Sequence, residues 1–180
     1  NCNHFLIILS FETKNKQMHS QIISLQPIGI IHTPHKDIRK MPIQPLAADG
    51  IRGQIEIYPP YMDGLKDLNG FSHITLIYHF HKVKGYELQV VPFMDTEKRG
   101  IFACKAPKRP NAIGISTVKL ISVHNNLLTI EEVDMLDGTP LIDIKPFYPR
   151  YDNRDNVSIG WLEKNKNISV SKMQSDDRFS

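Results

Sequence analysis

Apolar and polar positions change over quickly along this chain. Short runs rich in β-branched and aromatic residues occupy 22–33, 54–58, 73–80, 87–94, 101–105, 113–123, 127–135 and 141–145, with Gly, Pro, Asn and Asp between them. This pattern predicts strands, because branched and aromatic side chains pack well on a pleated surface and turn residues break it. Within 73–81 a period of two places Ile74, Leu76, Tyr78 and Phe80 on one face, and His73, Thr75, Ile77, His79 and His81 on the other. No long 3.6-residue stripe competes with these runs, and one short helical turn is expected over 62–68. His124, Asn125 and Asn126 lie between two strand-like runs and read as a tight hairpin turn. Strands that follow one another without crossover helices predict an antiparallel sheet that closes to hide its edges. The expected fold is mainly β: a single small closed β-barrel with short helical turns and flexible tails.

A chain of 180 residues with 41% hydrophobic content can bury one core. The barrel is expected over 22–151, with 1–21 as an N-terminal extension and 152–180 as a mostly polar C-terminal segment. The end of that segment, 164–180, has few large apolar groups and is expected to fray. Residues 5–9 are apolar but too few to span a bilayer, and no basic leader precedes them, so no membrane role is expected. The two cysteines, Cys2 and Cys104, form no CxxC spacing. That argues against a zinc ribbon or a disulfide framework and makes the cytoplasm the simplest home. Cys104, inside a strand-like run, reads as a small buried hydrophobe.

The net charge of +3 is mild; the local distribution is more informative. Residues 98–119 hold Lys98, Arg99, Lys105, Lys108, Arg109 and Lys119 and no acid. At their centre the stretch RPNAIG, Arg109 to Gly114, combines a fixed-φ proline, an asparagine that tolerates left-handed φ and a glycine, which predicts a rigid loop suited to an anion. Asn111 either bonds its own backbone or shapes a site. Lys98, Lys108 and Lys119 read as a solvated basic face, still useful to RNA phosphates. The sign then reverses through Glu131, Glu132, Asp134, Asp137 and Asp143, with no base before Lys145, which suits a cation. Gly29 is isolated and no GxGxxG occurs, so the parallel-strand nucleotide turn has no candidate.

Two of these segments carry a family resemblance. GIFA from Gly100 with RPNAIG, and DGTPLIDIKP from Asp137 to Pro146, resemble the signature stretches of the TsaA-like (TrmO) proteins, S-adenosylmethionine-dependent methyltransferases acting on tRNA. IGIIHTP from Ile28, Gln44-Pro45, and Phe71-Ser72-His73-Ile74 with Phe80-His81 agree in order and spacing, so the likeness covers roughly 22–151. It implies a β-barrel, S-adenosylmethionine as cofactor, and cofactor contacts at Gln44, Pro45, His81, Lys82, Lys105, Ile115, Asp137, Gly138, Thr139 and Pro140. Relatives often carry arginine where this chain has Ile43 and Lys105, which replaces a planar fork by an apolar side chain and a point charge; Lys82 partly compensates.

The implied reaction is methylation of the exocyclic N6 of threonylcarbamoyladenosine at position 37 of tRNA. It is an in-line displacement that needs no covalent protein intermediate, with Asp137 as a candidate proton acceptor. The anticodon loop is expected against Lys105, Lys108, Arg109 and Lys145, with Asn111 shaping the loop and Tyr148 or Phe147 available for stacking. Relatives are expected to be homodimers with the cofactor near the subunit boundary. Two other readings remain open. His73, His79 and His81 share one face and suggest a metal-dependent β-barrel hydrolase, although no acidic third ligand falls at a persuasive spacing. The basic loop alone would suit a non-catalytic RNA-binding module.

Overall fold

The computed structural model of the chain describes residues 22–167, 169 and 173–179; the N-terminal extension expected over 1–21 lies outside them. Its strands are β1 (Gly29–His32), β2 (Arg52–Ile57), β3 (His73–His79), β4 (Gln89–Val90), β5 (Arg99–Gly100), β6 (Ile113–His124), β7 (Leu127–Glu131) and β8 (Thr139–Pro146). Six close into a barrel in the order β1-β2-β7-β6-β3-β8, and β8 returns to β1. Every ladder is antiparallel. The remaining pair, β4 and β5, forms a small ribbon within the long connection from β3 to β6.

Alternation builds the core. Ile74, Leu76 and Tyr78 point inward from β3, as the period of two predicts, and meet Ile31, Ile55, Ile57, Val118, Leu128, Ile130 and Leu141. Phe80, just past the strand, packs edge-on against Tyr78 with ring centroids 5.4 Å apart. The hairpin between β6 and β7 turns at Asn125, whose φ of 53° is a conformation that asparagine tolerates better than most residues.

Several predicted strands are shorter than their apolar runs. The run 22–33 yields only Gly29–His32, because Pro27 has no N–H to give a ladder and Ile22, Ile23 and Leu25 stay exposed. The run 87–94 yields two residues before Pro92 interrupts it. Residues 101–105 form no strand: Ile101–Ala103 is a turn of 3-10 helix, and the carbonyls of Ile101 and Cys104 accept from the Arg109 guanidinium at 3.0 and 2.8 Å. The run 127–135 stops at Glu131 because Glu132 takes φ 70°. The helical turn expected over 62–68 becomes two 3-10 turns, Pro59–Leu65 and Leu68–Gly70.

At the C-terminal end, α1 (Pro149–Asp152) and a 3-10 turn at Gly160–Asn165 precede contacts that the expectation of fraying did not include. Gln174 bridges to Pro42, Ser175 N–H donates to the Met41 carbonyl at 2.9 Å, and Phe179 sits edge-on to Phe93 at 5.1 Å. Trp161 Nε1 also donates to the Ala103 carbonyl at 2.8 Å. A few well-placed donors and one ring are enough to hold this polar stretch.

Candidate cofactor and RNA site

Antiparallel register brings the two signature stretches to one rim of the barrel. His79 pairs with Ile113 and Tyr78 with Gly114 across β3 and β6; Tyr78 pairs with Leu141 across β3 and β8, and Ile31 with Thr139 across β1 and β8. The start of β6, the start of β8 and the end of β3 are therefore neighbours. Gly114 has to be glycine for a packing reason: a Cβ there would lie 2.3 Å from Tyr78 Cε2 and 2.9 Å from Phe80 Cζ. Neither Gly114 nor Asn111 takes positive φ, so the conformational freedom read from the sequence is not what they supply. What ties the loop down is Arg109, whose Nη1 donates to the carbonyls of Ile101, Cys104 and Ala106.

The segment between β7 and β8 delivers the acids. Asp137 sits in a turn whose Gly138 takes φ 74°, and its N–H donates to the His35 carbonyl. Its carboxylate accepts from Thr33 N–H at 3.0 Å and from Lys36 Nζ at 2.6 Å. Those bonds, Lys36 first, hold its pKa below the usual carboxylate value. A carboxylate held in this way acts as a fixed negative charge rather than as a proton acceptor. Thr139 is buried and donates to the Leu136 carbonyl at 2.6 Å, which uses its only hydrogen. His81 Nδ1 lies 3.5 Å from the same hydroxyl oxygen, at the outer limit of a hydrogen bond, so the ring nitrogen is the donor of that pair. Burial, and then the charge of Lys82, lower the His81 pKa and favour the neutral ring.

Three side chains that sequence reasoning did not assign join the site. The Tyr78 phenol lies 3.0 Å from Ser116 Oγ, and Ser116 Oγ donates to Asp134 Oδ1 at 2.8 Å. The chain of bonds links β3, β6 and the acidic segment. A faint signal existed, since Ser116 is a polar residue two places from Gly114 and so on the same inward face, which is otherwise apolar.

The other expected residues divide. Ile115 is 57% exposed on the outer side of β6 beside this rim, and Lys82 and Lys105 are exposed. Pro140 pairs with Ile30 next to the Gly138 turn. Gln44 caps the 3-10 turn Pro45–Ala47 and folds its amide onto the Ile43 carbonyl at 2.7 Å. Lys108 is tied to Glu87 at 3.2 Å and Lys145 to Asp143 at 2.9 Å. Lys145 is level with Thr75, toward the opposite end of β3, and Tyr148 follows it into α1, so these two are not gathered with the Asp137 turn. The histidine reading fails on distance. His73 and His79 are six residues apart on one strand, about 20 Å, and among the described residues no three of His, Cys, Asp and Glu are grouped to hold a metal ion.

The donor set fits S-adenosylmethionine. Its sulfonium favours the negative charge of Asp137, its carboxylate the exposed Lys82 or Lys105, and its adenine an apolar side chain such as Ile115. The Gly138 position faces open space, with nothing within 4 Å of a hypothetical Cβ, and a shallow depression of about 520 Å³ between Lys36, Arg52, Gln54 and Asp137 adjoins it.

Fold and site together define a barrel-type cofactor-binding protein that lacks the dinucleotide turn of parallel sheets. The family model for the tRNA-methyltransferase O N-terminal domain matches residues 30–153. A probable S-adenosyl-L-methionine-binding protein of Pyrococcus abyssi is 53% identical over 158 residues, 88% of this chain and 85% of the relative. A tRNA (adenine(37)-N6)-methyltransferase of Escherichia coli is 31% identical over 148 residues, covering 77% of this chain and 63% of that protein. The crystal structure of TrmO from Pseudomonas aeruginosa superposes with a TM-score of 0.67 at 34% identity, over 78% of this chain and 62% of that one. The chain spans less than two thirds of the length of those last two relatives. It belongs to the tRNA-methyltransferase O family.

Proposed function

We propose that this chain transfers a methyl group from S-adenosylmethionine to N6 of threonylcarbamoyladenosine at position 37 of tRNA. The observation that carries the reading is the rim itself, where an acidic turn, a neutral histidine, exposed lysines and an exposed isoleucine meet at the junction of β3, β6 and β8. The name of the Escherichia coli relative supports the adenine at position 37, and the cofactor agrees with the name of the Pyrococcus abyssi relative. The threonylcarbamoyl group rests on the family resemblance.

When bound, the cofactor supplies an electrophilic methyl group. The chain's part is alignment. Asp137, fixed by Lys36 and Thr33, places negative charge beside the sulfonium; Gly138, Thr139 and Pro140 shape the turn; His81 and Lys82, with Lys105, bind the methionyl end; Ile115, Gln44 and Pro45 border the adenine. Holding two reactants in line and away from water supplies most of the acceleration such a displacement requires. Lys82 and Lys105 add unpaired positive charge for RNA, Lys108 and Lys145, each against an acid, add less, Arg109 and Asn111 shape their loop, and Tyr148 offers a ring for stacking toward the other end of β3. Exposed Ile113 and Ile115 beside the site support a homodimer that covers the rim. No helix among the described residues is long and apolar enough to cross a membrane, and a cytoplasmic enzyme acting on the anticodon loop of tRNA is the simplest reading.

Mass spectrometry of tRNA nucleosides after incubation with protein and S-adenosylmethionine tests it. The expected product is threonylcarbamoyladenosine heavier by one methyl group. Unmodified nucleosides, from folded protein freed of copurified ligand and given tRNA that carries threonylcarbamoyladenosine, would remove the reading.

A further inference from the structure

The acceptor for the N6 proton is the step that Asp137, already bonded to Lys36, does not fill. Three residues away, Asp134 is in the opposite situation. Ser116 is the only side chain recorded as donating to it among the described residues, and the one charge that bears on it is Lys105, whose effect is small beside that of burial. The direction of the hydrogens follows from the chemistry. A carboxylate only accepts, so the Ser116 hydrogen points to Asp134, and the Tyr78 phenol must donate to Ser116. Only three buried polar residues, Thr33, Ser116 and Thr139, occur among the described residues, and Ser116 is the one inside β6. A polar chain inside an apolar barrel costs stability unless each member is satisfied, and here it ends on a carboxylate at the rim where both signature stretches meet.

We propose that Asp134, positioned by Ser116 and Tyr78, is the group that takes the N6 proton during methyl transfer, an inference that rests on the methyltransferase reading above. The N6–CH3 bond forms as the S–CH3 bond breaks and leaves its electron pair on sulfur. The N6 proton passes to a carboxylate oxygen of Asp134, and the neutral acid later returns it to water. One positive charge enters with the sulfonium and one leaves as that proton. Burial pushes the Asp134 pKa up to about 6, so it is ionised at neutral pH yet basic enough to accept. Two nearby carboxylates whose surroundings move them in opposite directions divide the work: Asp137 holds charge and Asp134 exchanges protons.

The test begins without cofactor. A carboxyl-carbon NMR titration of the wild-type protein is expected to place Asp134 near 6, and Ser116→Ala, which removes a donor that favours the ionised form, moves it higher. The charge that bears on this titration is Lys105, the Tyr78 phenol being neutral throughout, and the carboxyl signal itself is followed so that no histidine enters the reading. Asp134→Asn should then bind S-adenosylmethionine with affinity within roughly threefold of wild type. Its single-turnover rate on tRNA should fall on the order of 100-fold or more, and its acid limb should vanish. Ser116→Ala should keep the limb and shift it to higher pH. An Asp134 titration in the ordinary carboxylate range, or an Asn variant with the wild-type rate and limb, overturns the proposal. If the Asn variant fails to fold or to bind cofactor, Ser116→Ala decides, and an unmoved limb overturns it. Wild-type protein that binds cofactor but never methylates tRNA ends the methyltransferase reading and the proposal with it; an active wild type with an unaffected Asn variant ends the proposal alone.

Discussion

At the scale of single residues, the rim is set by close contacts more than by flexibility. Gly114→Ala would push a methyl group to 2.3 Å from the Tyr78 ring, which is 5% exposed and cannot swing out of the core. Overpacking of this kind costs roughly 1–3 kcal/mol, so urea denaturation should show a clearly lower midpoint with an unchanged slope, and a variant as stable as wild type would refute the packing argument. Asp134 and Asp137 make opposite predictions for pH. Asp137 has a lowered folded pKa, so its contribution is complete above the unfolded value and is lost as acid protonates it. Asp134 has a raised one, so the native state is favoured by its protonation and loses that contribution as pH rises from about 3.8 through about 6. Asp134→Asn is therefore expected to gain stability over wild type at pH 7 and to show little gain at pH 4, measured as melting temperature at both. Equal gains at the two pH values would mean that the carboxyl is not strained by burial. The inward faces of Ile74, Leu76 and Tyr78 were legible from a period of two. The bond from Ser116 to Asp134 was not, because it joins residues 18 apart on different elements and no spacing encodes it.

At the scale of elements, strand propensity located all six barrel strands and overreached where a side chain claimed the backbone. Residues 101–105 have the composition of a strand, yet the carbonyls of Ile101 and Cys104 turn toward one nitrogen, Nη1, of the Arg109 guanidinium. The sequence pointed to Arg109 as an RNA contact, and here its Nη1 braces the loop on three carbonyls. Arg109→Ala should then free amide exchange across 101–106 while β3, β6 and β8 keep their protection and the main thermal transition moves little. Uniform loss of protection in the barrel would instead make the loop part of one cooperative unit.

For the whole molecule, the modest net charge of +3 hides which of the cations near the site are already paired. Lys36, Lys108 and Lys145 each lie against one acid, and Lys119 Nζ lies between Asp49, Glu131 and Glu132. Among the described residues Lys82 and Lys105 near the rim carry no ion pair, nor do Lys98 and Arg109 of the basic stretch, but Arg109 is spent on backbone carbonyls. If RNA is drawn to that rim, these two lysines should account for more of its counterion release than Lys108 or Lys119, because a lysine already neutralised by a carboxylate contributes little field. Lys82→Ala with Lys105→Ala should weaken tRNA binding in the absence of cofactor and reduce the slope of log affinity against log salt by roughly 0.7 to 0.9 for each phosphate that is no longer neutralised. Lys108→Ala should change the slope by less. Both lysines are also expected at the methionyl end of the cofactor, so calorimetry with S-adenosylmethionine should show a separate fall in affinity in the double variant. An unchanged salt slope with abolished cofactor binding would assign the rim to the cofactor alone and move the RNA surface to the far end of the barrel, where Lys145, Tyr148 and Tyr151 lie.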